Sequence, residues 1–288
     1  MTILNIANDG LPNVYDLMFK YIAKHGPIAE DKLYEKCAPK GICEQKQVRQ
    51  GLNTWSQLGV FKKDHDKQWQ LTNQDITCPK KTAITALMAK KHNINLWSNE
   101  FGVDFIRASA WLLAQDVVST DLDVSSLQSL ESQQFSKLVD GERVYLLRND
   151  VRTNGFKSWA RYLGLTTNAM GEQIDPTELI RMHLEDIFVD QESLDINVFY
   201  QRLLDLLPIL DGGHYYLEVT QELHENTWPK PKASQSELST SLSRALLRLF
   251  TEKTVHLPEI TGDGHKYQLM YTTTNSAKRV SHITWMKK

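Results

Sequence analysis

Cysteine is scarce in this chain. Its 288 residues hold three, Cys37, Cys43 and Cys78. An odd number with no paired metal-ligand spacing argues against a disulfide framework or a zinc ribbon, and points to reduced thiols in a cytosolic protein. Long hydrophobic runs are also missing. The longest, Ala110 to Ala114, falls far below the ~20 residues that a membrane span needs. The opening Met1-Thr2-Ile3-Leu4-Asn5 has no basic start and no apolar core, so no signal peptide and no membrane association are expected. There is no Gly-rich phosphate loop, no Gly-x-Ser-x-Gly and no His-Glu-x-x-His pair, and the histidines are scattered. The expectation is a protein without catalytic residues, cofactor, metal or small-molecule substrate.

Charge is nearly balanced overall, at −2, but it is segregated. Residues 1–92 hold 14 Lys and Arg against 9 Asp and Glu; residues 93–225 hold 9 against 22; residues 226–288 hold 10 against 4. Two basic ends flank an acidic middle, which suggests that different parts meet different partners. The plainer alternative is that acidic surface only keeps the protein soluble. A chain of this length has room for about two domains.

The most specific signal lies between Gln47 and Thr72. Val48, Leu52, Trp55 and Leu58 recur at helical spacing, with Lys46, Arg49, Gln50, Asn53 and Gln57 on the opposite face. The helix stops at Gly59 and runs into two strand-like pieces, Val60-Phe61 and Trp69-Gln70-Leu71. Asp64-His65-Asp66 supplies turn residues between them. Upstream, Pro12 opens a helix with Asn8 or Asp9 as its cap, bearing Val14, Leu17, Met18, Tyr21 and Ile22, and His25-Gly26-Pro27 closes it. A short helix from Ala29 to Cys37 follows, with Ile28, Leu33 and Tyr34 inward, then a turn at Ala38-Pro39-Lys40-Gly41. Three helices and a hairpin is the winged-helix order.

The middle reads as helical. Leu96, Trp97, Phe101, Phe105, Ile106, Ala110, Trp111 and Leu113 form an apolar stripe expected to be core. Further helices are expected over Phe156–Leu163, Pro176–Phe188 and Ile196–Leu207. A helix, Gly164 and a turn-rich stretch over 150–176 offer a third, degenerate winged helix. Trp228-Pro229-Lys230-Pro231-Lys232-Ala233-Ser234 is the clearest linker. After it, Leu238, Leu242, Ala245, Leu246 and Leu249 make a helical face. Val255-His256-Leu257 is then expected to pair with Lys266–Tyr271 through Gly262-Asp263-Gly264, with Val280 to Met286 as a spare strand. Asp211-Gly212-Gly213-His214 is read as a turn between a helix and a strand, and Asp116, Asp121 and Asp123 as a solvated loop.

A winged helix sets its third helix in the major groove and its hairpin on backbone. Lys46, Arg49, Gln50 and Asn53 are therefore the groove-facing candidates, since Arg reads guanine and Gln or Asn reads adenine. Lys62, Lys63 and Lys67 are the phosphate contacts of the wing. At the C-terminal end the candidates are Thr240, Arg244 and Arg248 on the helix, with Lys253, His265 and Lys266 around the wing. Either unit could instead dock protein.

Three segments together resemble the DpdG family: Leu4-Asn5-Ile6-Ala7-Asn8-Asp9-Gly10-Leu11-Pro12, Leu52-Asn53-Thr54-Trp55 with Leu58-Gly59-Val60-Phe61, and Asp104 through Asp116. The resemblance covers roughly the first 120 residues. It implies an accessory protein of the bacterial system that inserts 7-deazaguanine derivatives into DNA and restricts unmodified phage DNA, with the enzymatic work done by other proteins. No functional residue transfers with it. The expected architecture is mainly α with small β-wings (α+β). It comprises an N-terminal winged helix over 1–75, an acidic helical middle over 76–228 and a C-terminal winged helix over 229–288. The expected role is a cytoplasmic DNA-binding adaptor on double-stranded DNA and other subunits of a defence or modification complex. The alternatives are a transcriptional regulator, or an enzyme with a nuclease-type site in the middle.

Overall fold

The computed structural model describes residues 2–5, 11–38, 44–73, 78–98, 102–169, 171–228, 236–258 and 266–287. Helix α1 (Pro12–His25) starts with Pro12 in its first turn and ends at Gly26, whose φ of 74° suits glycine. It buries Val14, Tyr15, Met18, Phe19 and Ile22. The aromatic pair Tyr15 and Phe19, absent from the expected stripe, faces inward, while Leu17 is exposed and Tyr21 half-buried. The cap candidates Asn8 and Asp9 lie outside the described residues. Helix α2 (Glu30–Cys37) buries Leu33 and Cys37, with Tyr34 half-buried. Most of the expected turn at Ala38–Gly41, with Cys43, also lies outside them.

Helix α3 (Gln45–Gln57) buries Val48, Leu52 and Trp55 as the periodicity requires. Gly51 on the same face leaves room for Met18, whose Cε would sit 2.7 Å from an added Cβ. The helix ends in a paired reversal. Gly59, at φ 79°, donates to Ser56 O, and Val60 N–H donates to Trp55 O at 2.7 Å. The chain thus enters β1 (Phe61–Lys63), which pairs antiparallel with β2 (Trp69–Leu71). On the far side of β2, Ile28 and Trp69 exchange both backbone hydrogen bonds, at 2.9 and 2.8 Å. The three-membered order is β1, β2, Ile28.

Helix α4 (Pro79–Met88) and a 3-10 turn (Lys90–His92) lead to α5 (Val103–Leu113) and α6 (Val124–Gln134). Phe105, Ile106, Ala110, Trp111 and Leu113 are fully buried, Leu96 likewise, and Trp97 half-buried; Phe101 lies outside the described residues. A hairpin of β3 (Leu138–Val139) and β4 (Glu142–Arg143) precedes α7 (Asp150–Tyr162), capped by Asn149, whose side chain accepts from Arg152 N–H at 3.0 Å. Then come β5 (Thr166–Thr167), β6 (Gln173–Ile174), α8 (Thr177–Arg181) and α9 (Leu184–Ile187). The single helix expected over 176–188 is broken at Met182 and His183. After β7 (Ser193–Asp195) run α10 (Ile196–Leu206), α11 (His214–Thr220) and α12 (Thr240–Thr251). The turn at Asp211–Gly213 joins two helices, α10 and α11, where a strand was expected to follow it.

The last strands correct the expected pairing. β8 (Val255–His256) does not pair with β9 (Tyr267–Met270). It pairs with β11 (His282–Trp285), and β9 forms a hairpin with β10 (Ser276–Val280). β11 also pairs with β7, giving the order β7, β11, β8. The spare strand of the sequence reading is therefore the central one. Its apolar residue Ile283 is fully buried, as is Val280 just before it, and a central strand needs partners on both edges. Gly262-Asp263-Gly264 and His265 lie outside the described residues, as does most of the Pro-Lys linker.

Two compact units divide the chain: Met1–Phe105 with Leu147–Leu163, and Ile106–Leu146 with Gly164–Lys288. They cut across the three segments expected from the sequence. Helix α7 belongs to the first unit and the hairpin β5–β6 to the second. In the first unit α7 lies against the N-terminal helices through a cluster of tilted rings. Trp55 and Trp159 have centroids 5.2 Å apart, and Tyr15 lies 4.2 Å from Trp55 and 5.9 Å from Trp159. Among the described residues no helix is long and apolar enough to cross a membrane.

Gly155 of α7 has no room for a side chain, since an added Cβ would lie 1.8 Å from the backbone oxygen of Leu4. Gly155→Ala must push the buried residues Ile3 and Leu4 off the helix. A loss of about 2–3 kcal/mol is expected from such overpacking, read as a lower denaturant midpoint, whereas Asn154→Ala on the exposed side leaves the midpoint within about 0.5 kcal/mol.

Candidate nucleic-acid interface

Folding redistributes the charge. The first unit carries 18 Lys and Arg against 12 Asp and Glu, a net +6; the second carries 15 against 23, a net −8. The basic C-terminal stretch is folded into an acidic unit. The pattern of two basic ends therefore becomes one basic unit and one acidic unit.

In the first unit, the outer face of α3 presents Lys46, Arg49 and Asn53 to solvent, with Gln57 one turn further on, while Gln50 is half-buried. Lys46 and Arg49 make no ion pair among the described residues. The hairpin beside it exposes Lys62, Lys63 and Lys67. Its turn is closed by Asp64, which accepts Gln68 N–H at 2.8 Å and Lys67 N–H through its backbone at 3.1 Å. Lys67 itself takes a left-handed φ of 59°.

Lys63 is placed differently. Strand alternation turns Lys63 to the same face as Phe61 and Lys62 to the other. Its ammonium meets Glu30 Oε2 at 2.9 Å and lies 4.7 Å above the Trp69 ring. Glu30 also accepts the Trp69 indole N–H at 3.1 Å and the Tyr34 hydroxyl. The Tyr34 hydroxyl, the Lys63 ammonium and the Trp69 indole together hold the Glu30 carboxyl down at about 2. The sequence reading missed Glu30. An acidic residue opening a helix is ordinary, and its partners lie 33 and 39 residues away.

The C-terminal candidates are engaged inside the second unit. Helix α12 is buried on more than its apolar stripe: Leu238, Leu242, Ala245, Leu246 and Leu249 are inward, and so are Thr240, Ser241 and Ser243. Thr240 Oγ1 accepts Val117 N–H at 3.2 Å, Ser241 donates to Leu113 O at 2.6 Å, and Ser243 Oγ accepts Met270 N–H at 2.9 Å. Arg244 donates to Ile174 O at 3.1 Å and Gln173 Oε1 at 3.2 Å. Arg248 pairs with the buried Asp175 and with Glu252, the latter at 3.0 Å. The structure thus places Thr240 inside and pairs Arg244 with β6 and Arg248 with Asp175 and Glu252. Lys253 is exposed and sits at φ 57° as the C-terminal residue of the same paired reversal that ends α3, with Thr254 N–H on Leu249 O at 2.9 Å. Lys266 is half-buried beside β9, and His265 lies outside the described residues.

The remaining polar clusters have local explanations. Asp116 accepts Val118 and Ser119 N–H on one oxygen and Thr273 N–H on the other, and Asp121 accepts Asp123 N–H and the Ser126 hydroxyl, as turn and cap carboxylates do. Asp211 is half-buried in the turn between α10 and α11, accepting Ser239 N–H, and Tyr200 donates to its backbone oxygen at 2.6 Å. Burial pushes its carboxyl up to about 6.

A family model described as DpdG-like matches residues 1–259 of the chain. No curated protein and no solved structure matches it.

Two outcomes follow from these placements. Arg248→Ala strips a charged partner from the buried Asp175, which keeps only its Thr177 bonds, and should cost about 2 kcal/mol by urea unfolding. Lys46→Ala should cost less than about 0.5 kcal/mol. For Asp211 the folded protein holds its proton to higher pH than the unfolded chain. Its favourable contribution is therefore complete below about pH 4 and lost as pH rises through about 6. Asp211→Asn keeps an acceptor for Ser239 and should gain on the order of 2 kcal/mol over wild type at pH 7.5 but nothing at pH 4, compared by urea midpoints.

Proposed function

We propose, for a chain that belongs to the DpdG-like family, a non-enzymatic DNA-binding accessory role in the Dpd modification and restriction system. The basic unit acts as a winged helix: α3 enters the major groove of duplex DNA and the β1–β2 hairpin lies on the backbone. The observation that carries this reading is the solvent-facing side of α3, with Lys46, Arg49 and Asn53 exposed beside the exposed Lys62 and Lys67 of the hairpin. The strand order β1, β2, Ile28 supports it, because in a winged helix the last strand lies between the other two. A net +6 on this unit supports attraction to phosphate.

The acidic unit repeats this sheet order, with β7, β11, β8 in place of Ile28, β2, β1, and has helices α10, α11 and α12 between β7 and β8. Its helix α12 is engaged within the unit. We assign this unit to docking of a basic partner subunit, through its net −8. Catalysis in the system falls to other proteins.

The test is a fluorescence titration of the full chain with labelled duplex across a salt series. Affinity should fall steeply with salt, and Lys46→Glu with Arg49→Glu should weaken binding more than about tenfold at low salt, since each reversal replaces a favourable phosphate contact with a repulsive one. No binding at low salt, or binding indifferent to the double reversal, contradicts the reading. Recovery of the tagged chain from its host without any companion subunit contradicts the docking half.

A further inference from the structure

Of the three lysines on the hairpin, one is held in place. Lys62 and Lys63 are neighbours in β1, yet the pleat turns them to opposite faces. Lys62, opposite Gln70, points away from the helices, while Lys63, opposite Trp69, points towards α2. There Glu30 gathers one donor from each strand of the hairpin, Lys63 from β1 and the Trp69 indole from β2, and a third from its own helix, the Tyr34 hydroxyl. The Lys63 ammonium also lies over the Trp69 ring. For Lys63 to meet a phosphate, it must leave a carboxylate and a ring at once, and the freed Glu30 carboxylate would stand beside the incoming anion. Lys62 and Lys67 carry neither restraint.

We propose that Glu30 withholds Lys63 from the nucleic acid, so that the hairpin meets duplex phosphate through Lys62 and Lys67 alone. The inference rests on the DNA-binding reading above. Glu30 is then a positioning residue. It fixes the face of the hairpin that is turned to the duplex and limits how many counterions binding releases.

The salt dependence of duplex binding counts phosphate contacts, at about 0.9 in the logarithmic slope for each. Lys62→Met and Lys67→Met should each flatten the slope by about that amount, a difference of roughly threefold in affinity change between about 50 and 200 mM salt. Lys63→Met should leave the slope at its wild-type value. Glu30→Gln, which keeps one oxygen for the Trp69 indole and turns an amide N–H to the Tyr34 hydroxyl but removes the charge, should free Lys63 and steepen the slope by up to the same amount. Adding Lys63→Met to Glu30→Gln should restore the wild-type slope. The inference is overturned if Lys63→Met flattens the slope as Lys62→Met does, or if a folded Glu30→Gln leaves it unchanged. If Glu30→Gln fails to fold by thermal melting, the comparison of Lys63→Met with Lys62→Met decides alone. A wild-type chain that shows no salt-dependent binding fails at the earlier step and overturns both readings.

Discussion

The burial of the Trp55 ring against Tyr15 and Trp159 sets the geometry of the basic unit. Trp55 lies on the inner stripe of α3, and its contacts bring α1 and α7 against that stripe. A helix held by one face has its opposite residues committed to solvent. Lys46, Arg49 and Asn53 are outside because Val48, Leu52 and Trp55 are inside. The same helix must then reverse within a few residues to bring the hairpin alongside, and Gly59 makes that possible by taking a backbone conformation that L side chains rarely adopt. The candidate interface is thus a consequence of core packing and one turn.

The two units share a helix-to-sheet reversal and a central last strand, and put them to opposite effect. In both, a long helix ends in the paired reversal and feeds a small sheet whose last strand lies in the middle. In the basic unit that helix keeps a polar outer face. In the acidic unit the corresponding α12 has lost it: Thr240, Ser241 and Ser243 satisfy backbone groups, Arg248 neutralises Asp175 and Arg244 serves β6. Buried polar groups of this kind need their partners, so the arginines that look available in a helical projection are structural. The charge of the C-terminal stretch goes to stabilising its own unit, and the net charge of that unit is set by its other carboxylates.

The inner face of α3, the hairpin after it and the turn at Asp64–Lys67 were legible because each depends on neighbours in sequence. The stripe of α12 was equally legible, but periodicity says which residues face the core and is silent on what covers the remainder. Arg244 and Arg248 look free until Gln173, Ile174 and Asp175 are brought beside them. The pairing of β8 with β11 was beyond the sequence because two-residue strands carry no period and the intervening hairpin β9–β10 offers a nearer, equally plausible mate. Glu30 was invisible for the same reason of distance. The family resemblance read from roughly the first 120 residues extends in the family model through residue 259, across helices whose sequences are ordinary amphipathic patterns.

The central claim is that DNA meets α3 and the β1–β2 hairpin and leaves α12 untouched. Backbone hydrogen exchange of the full chain, with and without saturating duplex at low salt, tests it most directly. The account predicts slowed exchange concentrated in residues 44–73, with residues 240–256 unchanged. Protection centred on α12, or no protection in either segment under conditions where the duplex is bound, contradicts it.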